Sequence, residues 1–239
     1  MKVDILAFGA HPDDVELGCG GSIALSVKQG KSVVIVDLTK GELSTRGDIE
    51  TREKEAKRAS DILGVSSRIN MNFRDGFFVN DEIHQIKMIR LIREYKPEIV
   101  LCSAFTDRHI DHQKSSKLIS DSCFLSGLKK IKTKTSDGIN QLNWRPNKIY
   151  HYIQWNELKP DFVVDISSTL NLKMKSVMEY KSQFYNPKIV KDNTPISSKN
   201  FIEIIRYRAL NLGRLVGVEA AEGFNVERFP SIKSFDDLN

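Results

Sequence analysis

The chain has 239 residues, 40% apolar and 28% charged, an ordinary globular composition that excludes a disordered or low-complexity protein. That length suits one domain spanning residues 1–239 around a single core. A net charge of +5 and a pI near 9.0 would suit a polyanionic partner, but apart from the short 129–134 stretch the basic residues are scattered, without the stripe or aromatic platforms that nucleic-acid binding needs.

In chain order, the apolar run Val3–Phe8 breaks within a few residues into Gly9, His11, Pro12 and Asp13. It reads as a buried strand, not as a leader or a membrane span. Further β-branched runs at Ser32–Leu38, Arg68–Phe73 and Ile99–Cys102 alternate with segments of helical periodicity at Gly20–Gln29, Ile49–Leu63 and Glu82–Glu94. Strands at Lys148–Gln154 and Phe162–Ile166 follow, then helices at Ser168–Tyr180 and Lys199–Leu212. This alternation implies βαβ units, hence an α/β fold with a mostly parallel sheet. The GCGG stretch, Gly18–Gly21, lacks the spacing of a dinucleotide-binding loop and follows acids that would repel a pyrophosphate, so it reads as a close helix–sheet contact. Cys19, Cys102 and Cys123 are odd in number and lack CxxC spacing. They read as small buried residues of a protein kept in a reducing cytoplasm.

Ligands gather beyond the carboxyl ends of parallel strands, where His11–Asp14, Thr39–Gly47 and Thr106–His112 all fall. AHPDD at Ala10–Asp14 places an imidazole and two carboxylates in a turn stiffened by Pro12. Such a set suits a metal: Zn²⁺ takes His nitrogen and carboxylate oxygen, and a catalytic zinc needs three protein ligands with one position left for water. Asp13 or Asp14 could equally cap the helix that follows. DRHIDH at Asp107–His112 holds two of the five histidines, separated by an acid, and offers the ligand missing from the first cluster. His84 reads as a solvated residue of a surface helix. His151, between two tyrosines, could face the cleft and has no partner visible in the sequence.

Five segments, AHPDDVELGCGG, TKGELSTRG with Arg52, DRHIDH, SQF at Ser182–Phe184 and GVEAAEGF at Gly217–Phe224, resemble the PIG-L/LmbE-like N-acetylglucosamine deacetylases. Within that family the GELSTRG loop and the GVEAAEGF segment look most like the bacillithiol-pathway enzymes that deacetylate N-acetylglucosaminyl malate. The resemblance implies a Rossmann-like three-layer α/β sandwich, zinc held by His11, Asp14 and His112, and Asp13 as general base. It places His109 beside the tetrahedral intermediate, and Asp111 could fix the tautomer of His109. Arg52, Arg108 and Arg145 match positions that bind substrate in relatives. A small-molecule N-acetylglucosamine conjugate is the implied partner, with no nucleic acid or membrane, and a homo-oligomer, often a hexamer, is the family expectation. The same residues would serve a family member that hydrolyses another N-acetyl sugar conjugate, amide or ester.

Overall fold

Runs of Val, Ile and Leu without polar alternation mark strands covered on both faces. The central strands behave so: every residue of Ile5–Gly9 (β1) and Val33–Asp37 (β2) is buried. In the computed structural model, which describes residues 2–187 and 193–235, these belong to a seven-stranded sheet. Its other strands are Ser67–Asn70 (β3), Ile99–Ser103 (β4), Lys148–Tyr152 (β5), Phe162–Asp165 (β6) and Ala221–Val226 (β7). The order is β3-β2-β1-β4-β5-β7-β6, parallel from β3 to β5, with β7 antiparallel to both of its neighbours.

The period of two along a strand sends alternate side chains to opposite layers. Leu6 and Phe8 pack with Met88 and Ile92 of helix Glu82–Tyr95 (α3) and with Leu118 and Ile119 of helix Ile110–Ser126 (α4). Ile5 and Ala7 pack with Val15 and Ile23 of helix Asp14–Lys28 (α1) and with Leu63 of helix Ile49–Leu63 (α2). Each such aliphatic side chain taken out of water stabilises the fold by ~1.5–3 kcal/mol. The sheet therefore lies between two helical layers, as the family resemblance implies. Helices Leu170–Met178 (α5) and Phe201–Val216 (α6) complete the side of α1 and α2, around Leu17, Tyr180, Phe184 and Phe201.

Three elements differ from expectation. α1 begins at Asp14, not Gly20; the backbone kinks at Cys19, and the glycine-rich first segment stays helical through packing against its intrinsic propensity. The sequence pattern does not predict α4 as a helix, because its apolar residues are interspersed with serines. Ser115, Ser116, Ser122 and Ser126 are buried in it, and the hydroxyls of Ser115 and Ser126 return to carbonyls one turn back. Nor does it predict β7, since a short Ala-Glu-Gly sequence becomes a strand only through its position between β5 and β6.

The GCGG segment does allow close contact. A Cβ on Gly18 would collide with the Tyr152 ring, which is fully buried and whose hydroxyl donates to the Phe8 carbonyl at 2.8 Å. Gly18→Ala is therefore expected to cost about 1–3 kcal/mol and to lower the melting temperature by ~2–4 °C per kcal/mol in a domain of this size. An unchanged melting curve would show that Tyr152 is free to retreat.

Candidate active site

β1 has β2 on one side and β4 on the other, so the connections leaving β1 and β4 diverge and open a crevice at the carboxyl edge of the sheet. Ala10–Asp13 leave β1 there, and Ala104–His109 leave β4 to enter α4. Asp13, the residue before α1, has φ 119° and ψ −23°, a conformation that costs an L-residue ~1–3 kcal/mol. Its side chain makes no capping bond. Instead the carboxylate lies 3.3 Å from Nη2 of Arg52, which also donates to the Pro12 carbonyl at 2.5 Å. Arg52 Nη1 reaches the Gly41 carbonyl at 3.4 Å, and a Cβ at Gly41, where φ is +65°, would collide with that nitrogen. Burial, opposed by Arg52, raises the Asp13 carboxyl to about 7.

Asp14 is placed between two imidazoles. Its Oδ2 accepts the His11 backbone N–H at 2.9 Å and lies 3.5 Å from His11 Nδ1, while Oδ1 lies 3.0 Å from His112 Nε2 and accepts from Gln154 at 2.8 Å. The far nitrogen of each ring faces a further carboxylate. His11 Nε2 is 3.0 Å from Asp75 and 3.5 Å from Asp111, and His112 Nδ1 is 3.3 Å from Asp107. Burial disfavours charge on these rings, but the carboxylates outweigh it, raising His11 well above the usual histidine value and His112 to about 9. Burial would likewise raise Asp14, but His112 and His11 hold it well below the usual carboxylate range. The cluster thus calls for positive charge beside Asp14, which protons supply in the protein alone.

A metal ion fits this donor set. Imidazoles aimed at one carboxylate, each backed by another carboxylate on its far nitrogen, are the arrangement that orients histidine ligands. His11, His109 and His112 also bring one ring nitrogen each within 4.8 Å of one another. His109 differs from the other two in charge: burial and the positive charge of His11 and His112 lower it to about 4, so its ring is neutral. The Asp111 backbone N–H donates to His109 Nδ1 at 3.3 Å, which leaves Nε2 to carry the proton.

The structure brings His11, Asp13, Asp14, His109 and His112 together with Arg52 and Arg108 around one cleft of ≈ 330 Å³. Two expectations are corrected. Asp111 acts on His109 through its backbone N–H, which donates to Nδ1, and through its charge, while its carboxylate makes no hydrogen bond to that ring, because residues two apart at the start of a helix lie on different faces. It accepts from the Gly76 N–H at 2.7 Å and from Lys114 at 3.1 Å, on the His11 side. Arg145 is not at the cleft: it donates to the Phe124 carbonyl at 2.8 Å and lies over that ring, in the last turn of a 17-residue helix whose first turn carries His112.

The other histidines are also placed differently. His84 is half-buried, 2.6 Å from Asp81 and edge-on to Phe73. His151 is fully buried away from the cleft, with Nδ1 2.9 Å from the Ser103 carbonyl and Nε2 3.0 Å from Glu227. The three cysteines are buried and free.

Sequence reasoning assigns no role to Asp75, Asp107, Trp155 or Arg208. Asp107 stands within the DRHIDH motif, and Asp75 follows the third strand as the other site loops follow theirs. Arg208, on an ordinary amphipathic helix, carries no signal. Glu222 of the GVEAAEGF segment proves to be a clamp, accepting from the N–H groups of Gly21 and Ser22 at 2.9 and 2.7 Å and from Lys173 at 2.5 Å.

Fold and site together define an α/β protein with a metal-competent centre at the carboxyl ends of its parallel strands. Residues 6–123 match the family described as PIG-L: GlcNAc-PI de-N-acetylase. The chain is 30% identical to the diacetylchitobiose deacetylase of Thermococcus kodakarensis over 190 residues, 75% of this chain and 70% of that protein. It belongs to the PIG-L family. It is also 37% identical over 115 residues to an uncharacterized deacetylase, YaiS, of Escherichia coli (strain K12), a match covering 45% of this chain and 61% of the length of that relative. The crystal structure of a conserved protein from Thermus thermophilus superimposes with a TM-score of 0.85 at 32% identity, covering 98% of each chain. No helix among the described residues is long and apolar enough to cross a membrane.

Proposed function

We propose that the protein is a zinc-dependent hydrolase that removes the N-acetyl group from an N-acetylglucosamine conjugate, with N-acetylglucosaminyl malate as the preferred substrate. The observation that carries this reading is the strained, buried Asp13, raised to about 7, next to an Asp14 flanked by two carboxylate-backed imidazoles. A base needs a pKa near the working pH, and a hydrolytic metal needs a base within reach of its water. The family match and the activity of the T. kodakarensis relative support an N-acetyl sugar as the substrate. The preference for malate rests on the GELSTRG and GVEAAEGF segments. A cytoplasmic homo-oligomer is part of the same proposal.

His11, Asp14 and His112 would hold the zinc, a Lewis acid that makes water more acidic and the acetyl carbonyl more electrophilic. Asp13, held by Arg52, accepts the proton of the attacking water as the carbon–oxygen bond forms. His109, whose Nδ1 accepts the Asp111 N–H so that Nε2 carries the proton, donates to the oxygen that gains negative charge. As the carbon–nitrogen bond breaks, the proton on Asp13 goes to the departing amine, giving the free amino sugar and acetic acid, which ionises to acetate by losing the second proton of the water. Asp75, Asp107 and Asp111 keep the His11 and His112 rings oriented.

The test is acetate release by the purified protein supplied with Zn²⁺, from N-acetylglucosaminyl malate, free N-acetylglucosamine and a chitin oligomer. Release should be fastest from the malate conjugate. A faster rate on the chitin oligomer would move the assignment to another conjugate, and no acetate from any of the three would overturn the deacetylase reading.

A further inference from the structure

Part of the cleft is built differently from the His11–Asp14–His112 cluster. Its wall is apolar, formed by Trp155, Ile196, Phe201, Ile204 and Ile205, and two guanidinium groups stand in it. Arg108 lies over the Trp155 ring, 4.5 Å from its centroid. Arg208, from α6, donates through Nη2 to the Trp155 backbone carbonyl at 2.8 Å. Arg52 forms an ion pair with Asp13, but neither Arg108 nor Arg208 forms one with any carboxylate among the described residues.

The negative groups that act on Arg208 are Asp107 and Glu157. Asp107 is already committed, accepting the Trp155 N–H at 3.1 Å and facing His112 at 3.3 Å, and Glu157 is exposed. Burial of the Arg208 guanidinium lowers its pKa, a sign that its charge lies in a poorly solvated setting. A cation so placed, with no ion pair of its own among the described residues and beside apolar side chains of its own helix, is suited to a carboxylate brought by a ligand, because excluding water strengthens a charge-assisted bond.

We infer that Arg208, with Arg108 on the ring of the same Trp155, forms the anion-recognition end of the cleft, so that the substrate is an N-acetyl sugar whose aglycone bears a carboxylate. This rests on the deacetylase reading above and names Arg208 as a specificity residue. Asp107 links the two ends: it faces the predicted ligand His112 through one oxygen and holds Trp155 through the other.

The test compares the zinc-loaded native enzyme with Arg208→Gln and Arg208→Lys on N-acetylglucosaminyl malate and on the neutral methyl N-acetylglucosaminide. Binding of the corresponding deacetylated sugars is measured by calorimetry on the same proteins. In Arg208→Gln the preference for the acidic over the neutral substrate should fall by about tenfold or more, chiefly through KM. Arg208→Lys should fall between the two, since it keeps the charge and loses the fork. An unchanged preference, with both substrates losing equally, would show that Arg208 serves only to hold Trp155 and would overturn the inference. If the native enzyme releases no acetate from either substrate, the deacetylase reading fails. Calorimetry then decides the role of Arg208 alone: selective weakening of the acidic sugar upholds it, and equal weakening rejects it.

Discussion

Asp13→Asn is expected to fold and to bind metal as the native protein does, while turnover falls by about 10²–10⁴-fold, the usual contribution of a positioned general base. The amide is isosteric with the carboxyl but cannot accept the proton of water. The substitution also leaves the backbone strain where it is, because Asn adopts positive φ more readily than most residues. Among the described residues the substitution removes the charge of the 3.3 Å pair with Arg52, and Arg52 keeps its bonds to Pro12 and Gly41. Measurement of kcat beside metal stoichiometry and a melting curve separates the chemical effect from the structural one. Activity within a few-fold of native would remove Asp13 from the proton transfer. His109→Ala should show a similar pattern, with the loss in kcat, since its neutral ring acts as a donor to developing charge and not as an anchor for the sugar.

The parallel strands are legible in the sequence because burial on both faces leaves unbroken apolar runs, and the loops after them can be placed at one edge by topology alone. That is enough to bring His11–Asp14 and Asp107–His112 together. Less legible are elements that tertiary contacts hold against local preference: the glycine-rich start of α1, the serine-rich α4, and β7. The same limit applies within the site. Spacing puts His109 and Asp111 near each other in the chain, but the first turn of α4 points one ring into the cleft and the other carboxylate toward His11. Arg145 and Arg208 exchange places for a related reason. Whether an arginine reaches the cleft depends on which end of a helix or strand it occupies in three dimensions, and no sequence period encodes that.

His11→Ala or His112→Ala is expected to abolish stoichiometric metal binding and activity together. Each ring stands between Asp14 and an outer carboxylate, so its removal takes away one ligand and leaves buried acids facing one another without a cation. Breaking a buried charge pair in this way costs about 3–5 kcal/mol, so the metal-free variants should also melt below the metal-free native protein. The same ion pairs set a pH dependence. In the metal-free protein His112 titrates at about 9, above its ordinary 6.5, so the stability its pairs contribute is present below pH 6.5 and is lost as pH rises through 9. Metal binding runs the other way, because an imidazole must shed its proton before it can ligate. Apparent metal affinity should therefore rise with pH from 6.5 toward 9, and binding at pH 7 should release protons, a release that His112→Ala reduces. Calorimetry in buffers of different ionisation enthalpy measures that release, and elemental analysis measures the metal. Native stoichiometry in both alanine variants would refute the ligand assignment, and pH-independent affinity would show that the imidazoles stand unprotonated before the metal arrives.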